Sequence, residues 1–391
     1  MIQNGFTYIT VLIFSSALLV NIPRILQGSA AKRFFQFIPP VVLIYIGLMI
    51  LCTSGFWDLQ ATASTYSALK NPLLYSMLFL MLLRCDLRKI FRLGSKMLIG
   101  FAAASLSIGL GFLICYFFLH DHLGSNSWEA LGALCGSWMG GSGNMLAIQA
   151  ALDIDESVMA YTLVIDTICG TFYIMFLLWV IGFADHFNRW VNADTNAIDA
   201  VGLSLEAESK SNKSPLLWQN IIFLFGFGLL VADLSQYAGT YISTLAPFFD
   251  KATWTVLIIT LVGSLLAMTP AGKIKGTEEI STVLLYIVIA LIASRADLSN
   301  MGNTFMWIIA GFLILIFHIL IMLVFAKIFH LDIFTCAVAS LANIGGTATA
   351  PILAGTYNSS LVPVGIIMAL LGYIIGTGGG LLVAELMHFI G

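Results

Sequence analysis

Long apolar runs separated by short polar loops fill most of the chain. A helix needs roughly 20 apolar residues to span the hydrocarbon core of a bilayer. On that measure twelve spans are expected, at 5–22, 38–56, 72–90, 94–119, 128–150, 157–183, 216–233, 252–270, 277–297, 304–326, 332–355 and 361–388. The third is the weakest, because its apolar core runs only from Pro72 to Leu83. The longest polar stretch, 184–215, carries Asp185, Arg189, Asp194, Asp199, Glu206, Glu208, Lys210 and Lys213 with Ser and Asn between them. It reads as a solvated linker. It separates a first transmembrane repeat at 1–183 from a second at 216–391. The expected fold class is all-α: a polytopic membrane protein with about 12 transmembrane helices in two structurally related halves.

Composition strengthens this reading. Of 391 residues, 59% are hydrophobic and 9% charged, where a soluble domain carries about 25% charged residues. Too little polar surface is available to clothe a soluble fold, so the lipid bilayer is the expected solvent. The net charge of −3 and the lack of a basic, aromatic-rich patch argue against nucleic acid as a partner. Six cysteines form no C-x-x-C pair and lie mostly in apolar runs, which is the pattern of buried thiols. The N-terminus lacks a basic n-region and a clear cleavage site, and reads as a first membrane helix rather than a removed signal peptide. Basic residues cluster at 84–96 and 24–37, which places these loops in the cytoplasm and the N-terminus outside. The acidic loop Asp153–Glu156 would then also be cytoplasmic. A multi-pass protein of the cell membrane, the inner membrane of a bacterium, is the expected location.

The chain repeats itself in order. Leu73-Leu74-Tyr75 returns as Leu284-Leu285-Tyr286, and at the same distance beyond each Tyr, Arg84-Cys85-Asp86-Leu87 returns as Arg295-Ala296-Asp297-Leu298. Further on, Gly140–Asn144 (GGSGN) answers Gly345–Thr349 (GGTAT), and Gly170-Thr171 answers Gly376-Thr377. An ordered set of this kind indicates duplication, a common feature of membrane transporters. Its orientation stays open. Six spans per half imply parallel copies, whereas an odd number implies inverted ones. The mixed stretch within 234–251 is a candidate for dipping into the membrane, and the low charge of 295–303 suits an external loop and favours inversion.

Two spans are weakened in the middle. Gly140, Gly141 and Gly143 flank Ser142 and Asn144 in the first copy. In the second, Asn343, Gly345, Gly346, Thr347 and Thr349 precede Pro351, which removes a backbone donor. Unpaired backbone in lipid costs several kcal/mol per group, so such a break persists where it lines a cavity or is buried in protein. Freed carbonyls can hold a cation and half-helix N-termini an anion, and matched breaks are the sequence mark of a transport site. For one Gly-Gly pair, close helix packing would be the simpler account.

Asp166 lies ten residues into the span 157–183, about 15 Å deep and near the midplane. A carboxylate there costs about 2.5–3.5 kcal/mol on insertion scales, and intramembrane acids are functional candidates by default. Burial favours the neutral form of an acid and a neighbouring cation the charged form, so Asp166 could exchange a proton for sodium. His318, mid-span, is a candidate proton relay, with a structural role the stronger reading. Arg84, Asp86, Arg295 and Asp297 sit at span ends, where they cap helices or reach across to the broken segments. Glu129, Asp233 and Glu385 read as interfacial. No H-E-x-x-H, G-x-S-x-G, P-loop lysine or metal-spaced His/Cys set is present, so no enzyme and no cofactor is expected.

The pair 140-GGSGN-144 and 342-ANIGGTATAP-351 resembles the YjcL-like family of bacterial and plastid membrane proteins, grouped with the bile-acid:sodium symporter and cation:proton antiporter superfamily. The resemblance covers nearly the whole chain. It implies panel and core domains, with two broken helices, here 128–150 and 332–355, crossing in the core. It implies that Asp166 takes the place of the antiporters' ion-binding acid, with Ile165 where they usually carry Asn or Asp. It also implies sodium binding near the crossing, with Ser142, Asn144, Asn343, Thr347 and Thr349 as candidates. The expected function is an ion-coupled secondary transporter of a small organic solute, with Na+ or H+ as coupling ion and a homodimer as a compatible assembly. The alternatives are a cation:proton antiporter and a non-transporting scaffold or sensor.

Overall fold

The computed structural model describes residues 1–25, 40–124, 126–193, 216–246, 249–296, 304–357 and 361–391. Its regular structure is helical, apart from one bridge between Ile2 and Trp57. In chain order the helices are α1 Gly5–Ile25, α2 Pro40–Thr53, α3 Ala63–Leu83, α4 Leu87–Phe91, α5 Gly94–Leu123, α6 Ser127–Gly140, α7 Ser142–Leu152, α8 Glu156–Val180 and α9 Ala184–Val191. They continue as α10 Trp218–Leu245, α11 Lys251–Ala267, α12 Thr277–Ala293, α13 Thr304–Phe329, α14 Ile333–Ile344, α15 Gly346–Tyr357 and α16 Val362–His388. Aspartates start several of them. Asp86, Asp155, Asp250 and Asp332 accept backbone N–H bonds at the starts of α4, α8, α11 and α14, a cap that stabilises a helix by about 1 kcal/mol.

Among the described residues seven helices are long and apolar enough to cross a membrane: α1, α3, α5, α8 with its extension, α10, α13 and α16. Large apolar side chains face outward along them, including Phe14, Phe118, Trp179, Trp218, Leu230 and Leu320. Such a surface is stable against lipid tails and not against water.

Two buried clusters divide the interior. One joins α5, α6, α8, α13, α14, α15 and α16, and the other joins α1, α2, α3, α7, α10, α11 and α12. Each cluster draws on both halves of the sequence, so the halves interleave rather than forming separate bodies. Helices that carry the matched motifs pair with each other. Arg84 at the end of α3 meets Glu278 at the start of α12, and Arg295 at the end of α12 meets Thr62 at the start of α3. The two helices are therefore antiparallel. So are α5 and α13, where Ser107 meets His318 and Cys115 meets Ala310.

The segments 128–150 and 332–355 are not broken spans that cross the bundle. Each folds back on itself. A Cβ on Gly136 of α6 would lie 2.2 Å from the Ile148 side chain of α7. Phe334 and Tyr357, at the outer ends of α14 and α15, have ring centroids 4.8 Å apart. A straight helix would separate these pairs by about 18 and 35 Å. The hairpin α6–α7 enters from the end opposite residues 84–96, and α14–α15 enters from the end that holds them.

This geometry corrects further expectations. Asp153–Glu156 lies opposite the basic loop 84–96, because the first hairpin returns the chain to the end it came from. The third span begins at Ala63 and stops at Leu83, followed by the short α4, rather than running 72–90. Residues 234–245 do not dip separately but continue α10. The linker 184–215 opens with the helix α9, and its remainder from 194 lies outside the described residues, as do Asp297, Leu298 and the basic residues of 26–37.

Candidate functional site

The hairpin tips meet in mid-bundle because of small residues on α6 and α16. Gly132, Gly136 and Gly140 recur every fourth residue on α6, and Gly372, Gly376 and Gly380 do so on α16. A Cβ on Gly140 would sit 2.2 Å from the Gly372 carbonyl oxygen, and one on Gly380 would sit 2.8 Å from the Gly136 nitrogen. Two facing small-residue ladders thus let backbone touch backbone, as membrane helices do in place of hydrophobic packing. At the first tip Gly141 holds φ +88°, ψ 175°, a conformation essentially reserved for glycine. Gly346 opens α15 with φ +60°.

Between the two clusters lies a cavity of about 390 Å³. Gly141, Ser142, Gly143, Gly345, Gly346, Thr347 and Thr349 line it from the tips, and Asp166, Thr167, Gly170 and Thr171 line it from α8. Pro40, Met81, Arg84, Glu278, Ser281 and Tyr286 face them from α2, α3 and α12. Asp166 is half-buried, and its Oδ1 accepts the indole N–H of the buried Trp138 at 2.9 Å, with a further hydrogen bond to Ser137. This ties α8 to the α6 arm of the first hairpin. On the other tip the Thr347 hydroxyl meets the Tyr373 hydroxyl at 2.9 Å. The Thr349 hydroxyl turns back toward Gly345 and is buried with no hydrogen-bond partner.

Three residues that the sequence offered for the site lie off the cavity. Gly140 is consumed in the contact with α16. Asn144 donates to the Gly372 carbonyl at 3.1 Å and accepts from Thr377 at 3.0 Å. Asn343 accepts from Ser105 at 2.7 Å and donates to the Ala339 carbonyl at 2.9 Å. Both asparagines fasten a hairpin to a neighbouring helix. His318 also lies away from the cavity, with Nδ1 at 2.7 Å from the Ser107 hydroxyl and Nε2 at 2.6 Å from that of Ser340, which in turn meets Tyr173. Both ring nitrogens are satisfied within a buried chain of hydroxyls.

The two ends of the cavity differ. Toward residues 84–96 its mouth holds the ion pair Arg84–Glu278, at 2.8 Å. At the opposite end the layers are fastened. Glu156 accepts from Lys70 at 2.9 Å and from the Tyr66 hydroxyl, and its carbonyl accepts from Tyr45 at 2.9 Å. The Arg295 guanidinium lies over the Tyr66 ring, 4.8 Å from its centroid. At the basic end, partial burial pushes the Asp86 carboxyl up, but hydrogen bonds from the Arg88 side chain and backbone outweigh it and hold the group below its ordinary value. Sequence reasoning missed Ser137, Trp138, Glu278, Ser281 and Tyr373. The Gly-x-x-x-Gly ladder ending at Gly380 was the available signal for Tyr373, and nothing in the sequence marked Glu278.

An outward apolar surface over interleaved helices, with an internal cavity lined by polar groups, is the organisation of a helical membrane protein. Residues 10–390 match the family described as "Protein of unknown function (DUF819)", and the chain belongs to that family. It is similar to the "Uncharacterized membrane protein YjcL" of Bacillus subtilis (strain 168), with 22% identity over 356 residues covering 86% of each chain.

Proposed function

We propose that this multi-pass protein is an ion-coupled secondary transporter of a small organic solute, and not an enzyme. One observation carries the reading: hairpin tips from opposite ends of the bundle meet in a polar cavity between two separately packed layers, with a carboxylate on its wall. The antiparallel pairs α3/α12 and α5/α13 support an inverted duplication. Among the described residues, the seven long helices together with the shorter α2, α11 and α12 would make ten crossings, five in each half around one re-entrant hairpin, the odd count that inversion requires. The layer of α1–α3 and α10–α12 then serves as the panel, and α5, α6, α8 and α13–α16 as the moving core, with α7 the arm of the first hairpin that packs against the panel. Relationship to the bile-acid:sodium symporter and cation:proton antiporter superfamily fits this division.

Asp166 is the coupling group. Its single negative charge takes either a proton or a sodium ion, and the tip carbonyls and the Ser142 and Thr347 hydroxyls offer the remaining oxygens. Alternating access follows if the core slides on the panel, the Glu156–Lys70 contact opens, and the layers close instead at the end that holds residues 84–96. The test is Asp166→Asn in proteoliposomes. Ion-dependent uptake should vanish while membrane insertion and thermal stability persist, and wild-type coupling in the variant defeats the assignment. An antiporter is separated by dissipation of a pH gradient when sodium is added without solute.

A further inference from the structure

Below the mouth of the central cavity lies a second cavity of about 860 Å³. Six cationic side chains and three carboxylates line it, the cations coming from two connections, with Arg92 on the α4–α5 side and Lys273 and Lys275 between α11 and α12. Arg84 and Glu278 line both cavities, so the lower one is the vestibule of the upper. A low-dielectric funnel of one prevailing sign concentrates ligands of the other sign and opposes its own. Farther in, the first turns of α7 and α15 both reach the cavity, and the N–H groups of a first turn lack intrahelical partners and carry partial positive charge. The acid on the inner wall, Asp166, would repel an anion unless neutralised.

We infer, building on the transporter reading above, that the solute is a small organic anion, a carboxylate or phosphate ester, which Arg84 receives in exchange for Glu278. Its residence beside Asp166 requires a proton or sodium ion on that acid. Solute and coupling ion thereby stabilise each other through opposite charge in a poorly screened site, which gives symport an electrostatic origin.

The experiment is thermal unfolding of the purified full-length protein at matched ionic strength. The probes are citrate, glutamate and glycerol phosphate as anions, choline and putrescine as cations, and glucose as a neutral solute. At least one anion should raise the midpoint, more so with sodium or at low pH, and Asp166→Asn should remove that requirement. Arg84→Gln should weaken the anion's apparent affinity about tenfold or more, the scale of a charge-assisted hydrogen bond. Glu278→Gln, which releases Arg84, should tighten it, so a misfolded Arg84 variant does not remove the test. The paired change Lys273→Gln with Lys275→Gln should slow anion association and flatten its salt dependence. Stabilisation by none of the anions, stabilisation by cations or glucose alone, or an anion effect indifferent to Arg84 and Glu278 overturns the inference. Arg84-dependent anion binding without flux in proteoliposomes preserves it and defeats the transporter reading. Flux of choline or glucose does the reverse.

Discussion

Asn144 and Asp166 look alike in the sequence, each a polar residue in an apolar run, yet the structure gives them different work. Asp166 faces the cavity, while Asn144 spends both ends of its amide on α16. Asn144→Ala leaves the Thr377 hydroxyl and the Gly372 carbonyl short of partners and should destabilise the fold by about 1–3 kcal/mol. Detergent-based unfolding would measure this, and the ion affinity of the folded protein should not change. The carboxylate was legible because a charge in lipid needs a reason. The direction of the asparagines was not, since helices apolar on every side carry no periodic mark of which face is inside. His318 shows the same limit. Its mid-span position suggested a relay, but its two serine partners account for it as a buried bridge between α5, α13 and α14.

For the elements, the apolar runs located nearly every helix, and the matched glycine clusters located both hairpin tips. They could not reveal that the tips turn back. A run of some 23 apolar residues has the length of a span, and reversal hinges on a few backbone torsions such as that of Gly141. That one fact decides topology. Single cysteines at Asp153 and Ser95, both exposed, should react with an impermeant maleimide from opposite faces of the membrane. The native thiols are buried and form a quiet background. Labelling of both from one face would rule out the re-entrant hairpin. Gly141→Ala should cost roughly 1–2 kcal/mol or more in stability, because a side chain disfavours positive φ, and a thermal midpoint would register it.

At the scale of the whole molecule, the two ends differ, and in the proposed transport cycle that asymmetry corresponds to one state. The layers are fastened by Glu156, Lys70 and Tyr66 at one end, and the Arg84–Glu278 pair borders the mouth of the cavity at the other. By the excess of cations at residues 84–96, that end is the one expected in the cytoplasm. A reducible bis-methanethiosulfonate bridge between Lys70→Cys and Glu156→Cys, which spans the length of the two lost side chains, should hold the layers together at this end. Uptake in proteoliposomes should stop on cross-linking and return with reductant, and continued turnover of the cross-linked protein would show that the contact need not open. The matched motifs were readable in the sequence, but the interleaving of the two halves was not, because contacts such as Arg84–Glu278 join residues far apart in the chain with no local signature.

The glycine ladders of α6 and α16 also bear on how the chain is made. A hairpin whose two short arms turn back does not span a bilayer, and α16, the partner that buries the first hairpin, is made long after it. The early hairpin must therefore wait, shielded by neighbours or by an insertase, until residues 372–380 arrive. A fragment ending at residue 193 should insert its long helices yet leave a cysteine placed at Ile148, whose side chain packs on Gly380, open to a maleimide, and co-expression of residues 194–391 should restore protection.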